Sequence, residues 1–190
     1  MVESWDKLSS KPLGDFRVFR VRQDRYRSPR TGVEHDFFVQ EMPEWVNIIP
    51  LTPAGKVVLI HQYRHGTERM SLEIPGGLAE SEDGSFAEGA RRELVEETGY
   101  EPERVISLGK VAPNPALQDN HCHSFLALGA RPTGAQKLDP GEDIAVEEFD
   151  LEAIPQLIAE GRLEHSLVVV AFYLFEQYRR QHPEILAGQG

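Results

Sequence analysis

Between Ser85 and Gly99 the chain spells out a helix with its own start and stop signals. Ser85 is a natural N-cap, Glu88 three residues on can close a capping box, and Gly99 suits the left-handed position after the last turn. The spacing predicts a helix over 86–98. On it Glu93, Glu96 and Glu97 stand at i, i+3 and i+4, so they share one face within about one turn. Three carboxylates that close repel one another. Water can screen them on a solvated acidic face, and Arg91 and Arg92 can relieve them in part. A bound Mg²⁺ or Mn²⁺ relieves them more completely, because those hard cations prefer oxygen ligands. Before the helix, Ser71-Leu-Glu-Ile-Pro-Gly-Gly77 reads as a short strand entering a Gly-rich turn. Glycine there lets backbone carbonyls approach a ligand closely.

The remaining pattern is mostly extended. Strands are predicted over 16–23, 35–41, 46–51, 56–63, 104–111, 122–129 and 144–149, with Thr52-Pro-Ala-Gly55 as a hairpin connection. Helical periodicity covers 151–160 and 165–181, the second with core-like Val168, Val169, Ala171, Phe172 and Leu174. Strands, helix, strands, helices is an α+β order and not a run of βαβ units. A boundary near Met42 to Trp45 separates a small N-terminal strand unit, 1–43, from a main body, 44–190.

Charge and composition narrow the function. The 31 acidic residues against 20 Lys and Arg give a net charge of −11. That excludes non-specific nucleic-acid binding, which needs a basic footprint. It leaves room for a phosphorylated small substrate met through metal ions. The longest apolar run, Leu167 to Phe175, has nine residues, against the roughly twenty that a membrane span requires. The start of the chain lacks the apolar core of a secretory signal. Cys122 is the single cysteine, which rules out an internal disulfide. It reads as a small buried hydrophobe. A cytoplasmic protein without nucleic-acid or membrane partners is the simplest reading.

The stretch from Gly77 to Tyr100 resembles the signature of the Nudix hydrolase family, G-x5-E-x7-R-E-U-x-E-E-x-G-U. Gly77 opens it, and Arg92, Glu93, Leu94, Glu96, Glu97, Gly99 and Tyr100 fill its second half. Arg92 lies one residue later than the pattern requires, which implies an insertion in the Leu78–Gly84 loop. Counting forward puts Asp83 in the isolated acidic slot and counting back puts Gly84 there, so Glu82 or Asp83 takes that part. The resemblance implies an α/β/α sandwich around a mixed sheet. It also implies metal-assisted hydrolysis of a nucleoside diphosphate linked to another group. Glu93, Glu96 and Glu97 and the backbone carbonyl of Gly76 would hold Mg²⁺ or Mn²⁺, Glu96 would ligate or orient the water, and Arg92 would organise the acids.

The similarity continues outside the box. Val57-Val-Leu-Ile-His-Gln-Tyr-Arg-His-Gly66 followed by Leu72-Glu-Ile-Pro-Gly-Gly77 looks like the ADP-ribose pyrophosphatase, or NDP-sugar diphosphatase, branch. That implies Arg64 near the diphosphate, Glu73 supporting the metal site, and a mobile acidic loop, here Asp139-Pro-Gly-Glu-Asp-Ile144, with Glu142 as general base. It also implies a homodimer, with Trp45 stacking a nucleobase or else packing in a core or dimer contact. Arg17, Arg20 and Arg22 serve phosphates or are ordinary strand cations. Asn114, Gln118, Asn120 and His121 follow the box where ADP-ribose enzymes often carry Ser and Gly, so they are candidates to contact a sugar or phosphate. His121 and His123 on a strand would share one face without further ligands, too few for a metal centre. Alternatives are another Nudix substrate, such as GDP-mannose or a dinucleotide, or a non-catalytic domain that senses a nucleotide sugar.

Overall fold

The computed structural model describes residues 1–186. The chain forms two compact units, Met1–Glu44 with Ala112–His121, and Trp45–Val111 with the chain from Cys122 onward. The segment Ala112–His121, which the sequence reading left with the main body, belongs to the first of them.

The first unit is a three-stranded antiparallel sheet in the order β1 (Asp6–Asp15), β2 (Arg20–Arg27), β3 (Glu34–Glu41). Two strands were expected here, and the first was misplaced. Phe16 to Phe19 is the hairpin connection: Val18 N–H donates to Phe16 O, Phe16 N–H donates to Phe19 O, and Arg17 takes a positive φ of 70°. Strand β1 escapes notice because it is polar and carries Pro12. As the outer strand it can spare that ladder donor. The sheet is pinned by Asp24, fully buried, which accepts from Lys7 Nζ (2.8 Å), Ser10 Oγ (2.5 Å) and Arg22 Nε (3.0 Å). Burial alone pushes the Asp24 carboxyl up, but these donors outweigh it and hold it at about 2. The Ala112–His121 segment docks on this unit. Gln40 N–H donates to Leu117 O (2.7 Å), and Arg22 also reaches Asp119 (2.8 Å).

The second unit is a mixed sheet between helices. Its strands are β4 (Trp45–Leu51), β5 (Lys56–Arg64), β6 (Arg69–Glu73), β7 (Gly76–Leu78), then β8 (Tyr100–Glu101), β9 (Arg104–Val111), β10 (Cys122–Leu128), β11 (Arg131–Pro132) and β12 (Ile144–Asp150). The main path runs β12-β5-β4-β10-β9, with β6 on β5 and β7 on β4, and with β8 and β11 paired apart. Only β4 and β10 run parallel among these pairs, Asn47 opposite Ser124. Helix α1 (Phe86–Thr98) covers one face: Ala90 and Leu94 pack on Val46, Ile48, Phe125 and Ala127. Helices α2 (Ile154–Ala159) and α3 (Ser166–Gln181) cover the other, where Leu157, Phe172 and Phe175 pack on Ile49, Leu51 and Leu126. Alternate residues of β4 face opposite helices, as strand geometry dictates. Each fully buried side chain, such as Leu94 or Phe175, contributes about 1.5–3 kcal/mol of apolar burial. This is the expected α+β sandwich. The predicted helix over 151–160 shrinks to a 3₁₀ turn, Leu151–Ala153, and the six residues of α2, because Pro155 permits only a helix start.

Candidate active site

Helix α1 begins and ends where its signals say. Ser85 Oγ accepts from Glu88 N–H at 3.2 Å, and Gly99, at φ 72°, donates to Val95 O. The expected capping box is only half formed: the Glu88 carboxylate lies 3.8 Å from Arg91 instead of returning to Ser85 N–H. The apolar stripe through Ala90 and Leu94 fixes the rotation of the helix. Its other edge then presents Glu93, Glu96 and Glu97 beside the β7 turn.

Each acid is held differently. Glu97 is 3% exposed and its Oε2 accepts the backbone N–H of Gly76 at 2.9 Å. The Glu93 carboxylate lies against Gly77, so close that a Cβ there would sit 2.5 Å from Oε1. Glu96 is the outermost. Arg92 Nη1 donates to both Glu93 Oε1 (3.1 Å) and Glu96 Oε2 (2.9 Å). The contact seen for Gly76 is thus through its N–H, to Glu97. Burial pushes the Glu93 carboxyl up to about 7, with Arg92 opposing it and Glu96 and Glu142 adding to it. Burial pushes Glu97 to about 8, against the pull of the Gly76 hydrogen bond, with Glu93 and Glu142 adding.

The insertion resolves onto Asp83. It ends a 3₁₀ turn, Ser81–Asp83, and Gly84 follows at φ 70°. Asp83 Oδ1 accepts from Arg92 Nε at 2.8 Å and Oδ2 accepts from Glu80 N–H at 2.8 Å. Glu82 points elsewhere and pairs with Ser81 Oγ. Asp83 therefore orients the guanidinium that bridges Glu93 and Glu96. Gly89 makes room for it, since a Cβ there would meet Asp83 Oδ2 at 2.7 Å.

On the neighbouring strands Arg64 forms a two-pronged bond to Glu73, both contacts 2.7 Å. Burial raises and Arg64 lowers the Glu73 carboxyl, the net being downward. His165, which precedes α3, stands 4.0 Å from Glu73 and was not foreseen, because nothing local marks a residue brought in by the last helix. A cleft of about 610 Å³ opens beside Arg64, lined also by Tyr63, Arg69, Asp143 and His165. Glu142 lies in the loop that borders it. Its Oε2 accepts from Asp139 N–H at 3.0 Å, while its charge bears on Arg64, Glu93 and Glu97 and raises all three.

The other candidates have partners of their own. Trp45 is half-buried at the start of β4, opposite Cys122 and Leu78. His123 stacks on Phe86 at 3.9 Å. In the first unit, Asn120 is 2% exposed and its amide donates to Pro43 O. Arg22 is likewise engaged with Asp24, Glu41 and Asp119. Cys122 is buried, as expected.

A family model for the NUDIX domain matches residues 42–171. The chain belongs to the Nudix family. Its Nudix fold is matched by a crystal structure of an ADP compounds hydrolase, with a TM-score of 0.84 at 23% identity over 95% of this chain and 97% of that one. Among curated relatives, a methanol dehydrogenase activator of Bacillus methanolicus is 34% identical over 92% of this chain and 95% of its own length. An ADP-ribose pyrophosphatase of Mycobacterium tuberculosis is 25% identical over 87% of this chain and 80% of its own. Another, from Bacillus subtilis, is 32% identical over 61% and 63%.

The donor set of this Nudix site fits a divalent cation. Glu93, Glu96 and Glu97 offer hard oxygens on one side of a helix, and burial raises the carboxyls of Glu93 and Glu97, which a divalent cation would offset. Among the described residues no three acid, imidazole or thiol side chains are already gathered around one point; Arg92 and the Gly76 N–H hold oxygens of the three acids.

Proposed function

We propose that this Nudix hydrolase cleaves the diphosphate of ADP-ribose or a related nucleoside diphosphate sugar, yielding a nucleoside monophosphate and a sugar phosphate. The observation that carries the reading is the conjunction of the Glu93–Glu96–Glu97 face with the Arg64–Glu73 pair and its cleft. The relatives named ADP-ribose pyrophosphatase support it. Mg²⁺ or Mn²⁺, held by Glu93, Glu96, Glu97 and the Gly76 carbonyl, supplies neutralisation of phosphate charge and a more acidic water.

The chain's own groups do the rest. Arg64, fixed by Glu73, presents a guanidinium to the diphosphate oxygens. Glu142 takes a proton from the attacking water as its oxygen bonds to phosphorus and the bridging P–O bond breaks. Trp45 offers a face to the base. Chromatography of ADP-ribose reactions with either metal should show AMP and ribose 5-phosphate; absence of cleavage across a panel of NDP-sugars overturns the assignment.

A second reading is another Nudix substrate, a dinucleotide; one relative that matches nearly the whole chain, the methanol dehydrogenase activator, is not named for ADP-ribose. Dinucleotides carry the same diphosphate bridge as ADP-ribose. Faster turnover of a dinucleotide than of ADP-ribose in the same panel would favour it.

The first unit supports a homodimer. One face of its sheet carries Trp5, Tyr26, His35 and Phe37 in edge-to-face contacts, with Trp5 and Phe37 about 40% exposed. An apolar sheet face calls for a cover, and a second copy provides one. Among the described residues no helix is long and apolar enough to cross a membrane. Light scattering at micromolar concentration should give twice the chain mass.

A further inference from the structure

After β11 the chain turns back along the end of α1. Thr133 and Gly134 N–H donate to Gly99 O, and Lys137 N–H donates to Glu96 O at 2.8 Å. The last carbonyls of a helix lack intrahelical partners, so they are open to such donors. One side chain joins this wrap. Gln136 Nε2 donates to Glu97 O at 2.6 Å and to Ile144 O at 3.0 Å. Both of its amide hydrogens are used, and both acceptors are backbone.

The two acceptors matter for what lies between them. Glu97 is the buried acid of the site. Ile144 is the first residue of β12, buried and opposite Gln62 in the sheet. Leu138 to Asp143, between Lys137 and that strand, is a loop outside the sheet and holds Glu142 two residues before Ile144. A local turn, Glu142 N–H to Asp139 O at 2.9 Å, gives the loop its shape. Lys137 N–H on Glu96 O ties the start of the loop to α1. The Gln136 carboxamide ties its other, strand end to the helix end that bears Glu97.

We propose that Gln136 is a positioning residue: its carboxamide, bonded at once to the Glu97 and Ile144 carbonyls, holds the Glu142 loop at working distance from the helix acids. This rests on the reading of Glu142 as the base. Gln136 touches no substrate, so it acts through the placement of another group.

The test is a double-mutant cycle of Gln136→Met and Glu142→Gln, with ADP-ribose and Mg²⁺. Methionine keeps the volume and removes both donors. Gln136→Met is expected to lower kcat by about 10-fold or more, with KM changed less than about 3-fold, because a misplaced base affects the chemical step. In the Glu142→Gln background the same substitution should cost less than about 2-fold, since its target is already gone. An equal loss in both backgrounds means that Gln136 acts through Glu97 or through general stability, and overturns the proposal. A Gln136→Met enzyme at full kcat beside an impaired Glu142→Gln enzyme overturns it while leaving the base assignment intact. A fully active Glu142→Gln enzyme removes both. If Gln136→Met fails to fold, Gln136→Asn, one methylene too short to span both carbonyls, is run through the same cycle with the same criteria.

Discussion

The backbone N–H of Gly76 donates to Glu97 Oε2 at 2.9 Å, across 21 residues of sequence. This bond joins the strand turn to the helix and is, among the described residues, the one donor to a carboxylate that is almost fully buried. It does not offset burial: the Glu97 carboxyl stands at about 8 and the Glu93 carboxyl at about 7, against 4.5 when unperturbed. A carboxyl raised on folding takes up a proton between its unfolded and folded pKa. Folded protein then binds more protons than unfolded, and stability falls as pH rises. Metal-free protein should therefore melt at a lower temperature at pH 8 than at pH 5.5, by an amount on the order of a few kcal/mol in stability. Glu97→Gln, which keeps an acceptor for Gly76, should flatten that slope and abolish turnover. Calorimetry across the pH range checks the first and a product assay the second.

Asp83 and Glu82 give a sharper comparison. Asp83→Asn loosens Arg92 and with it both Glu93 and Glu96, so activity or Mg²⁺ affinity should drop about 10–100-fold, the range for groups that orient ligands. Glu82→Gln, whose contact is with Ser81, should leave both near the parent values. Mg²⁺ titrations of the two variants side by side decide it. Equal behaviour would remove Asp83 from the site.

The two glycines of the turn should fail in different ways. A Cβ on Gly76 meets backbone, Val46 O and Asn47 Cα, so Gly76→Ala should destabilise the fold by about 1–3 kcal/mol or more. A Cβ on Gly77 meets the Glu93 carboxylate, a side chain that can move aside. Gly77→Ala should keep its melting temperature within a few degrees and lose activity, because Glu93 is displaced. Melting curves and kcat for both variants test this.

How legible these features were follows from how local their causes are. Helix α1 was readable to the residue because Ser85 and Gly99, its start and stop signals, directly flank it. The three acids came with it. Strand β1 was not readable, because what makes Asp6–Asp15 extended is its pairing with β2 and the buried Asp24, neither visible in its own polar run. Gln136 is hidden for the same reason, with partners 39 and 8 residues away. Asp83 was narrowed to two positions by counting and fixed only by its contact with Arg92.

Glu142 and Asp143 separate the loop's two roles. Glu142→Gln should reduce kcat by about 10²–10⁴-fold with little change in KM, the mark of a general base. Asp143, exposed and lining the cleft beside Arg64, should affect KM before kcat when changed to Asn. Steady-state kinetics on both variants checks the assignment, and a dead Asp143→Asn beside an active Glu142→Gln would move the base by one residue.

Arg92 gives the acidic face a resident counter-ion. Its guanidinium is bonded to Asp83, Glu93 and Glu96 at once, so much of the charge that a metal would neutralise is already balanced in the polypeptide. Any cation bound at this face would compete with that arginine for the Glu93 and Glu96 oxygens.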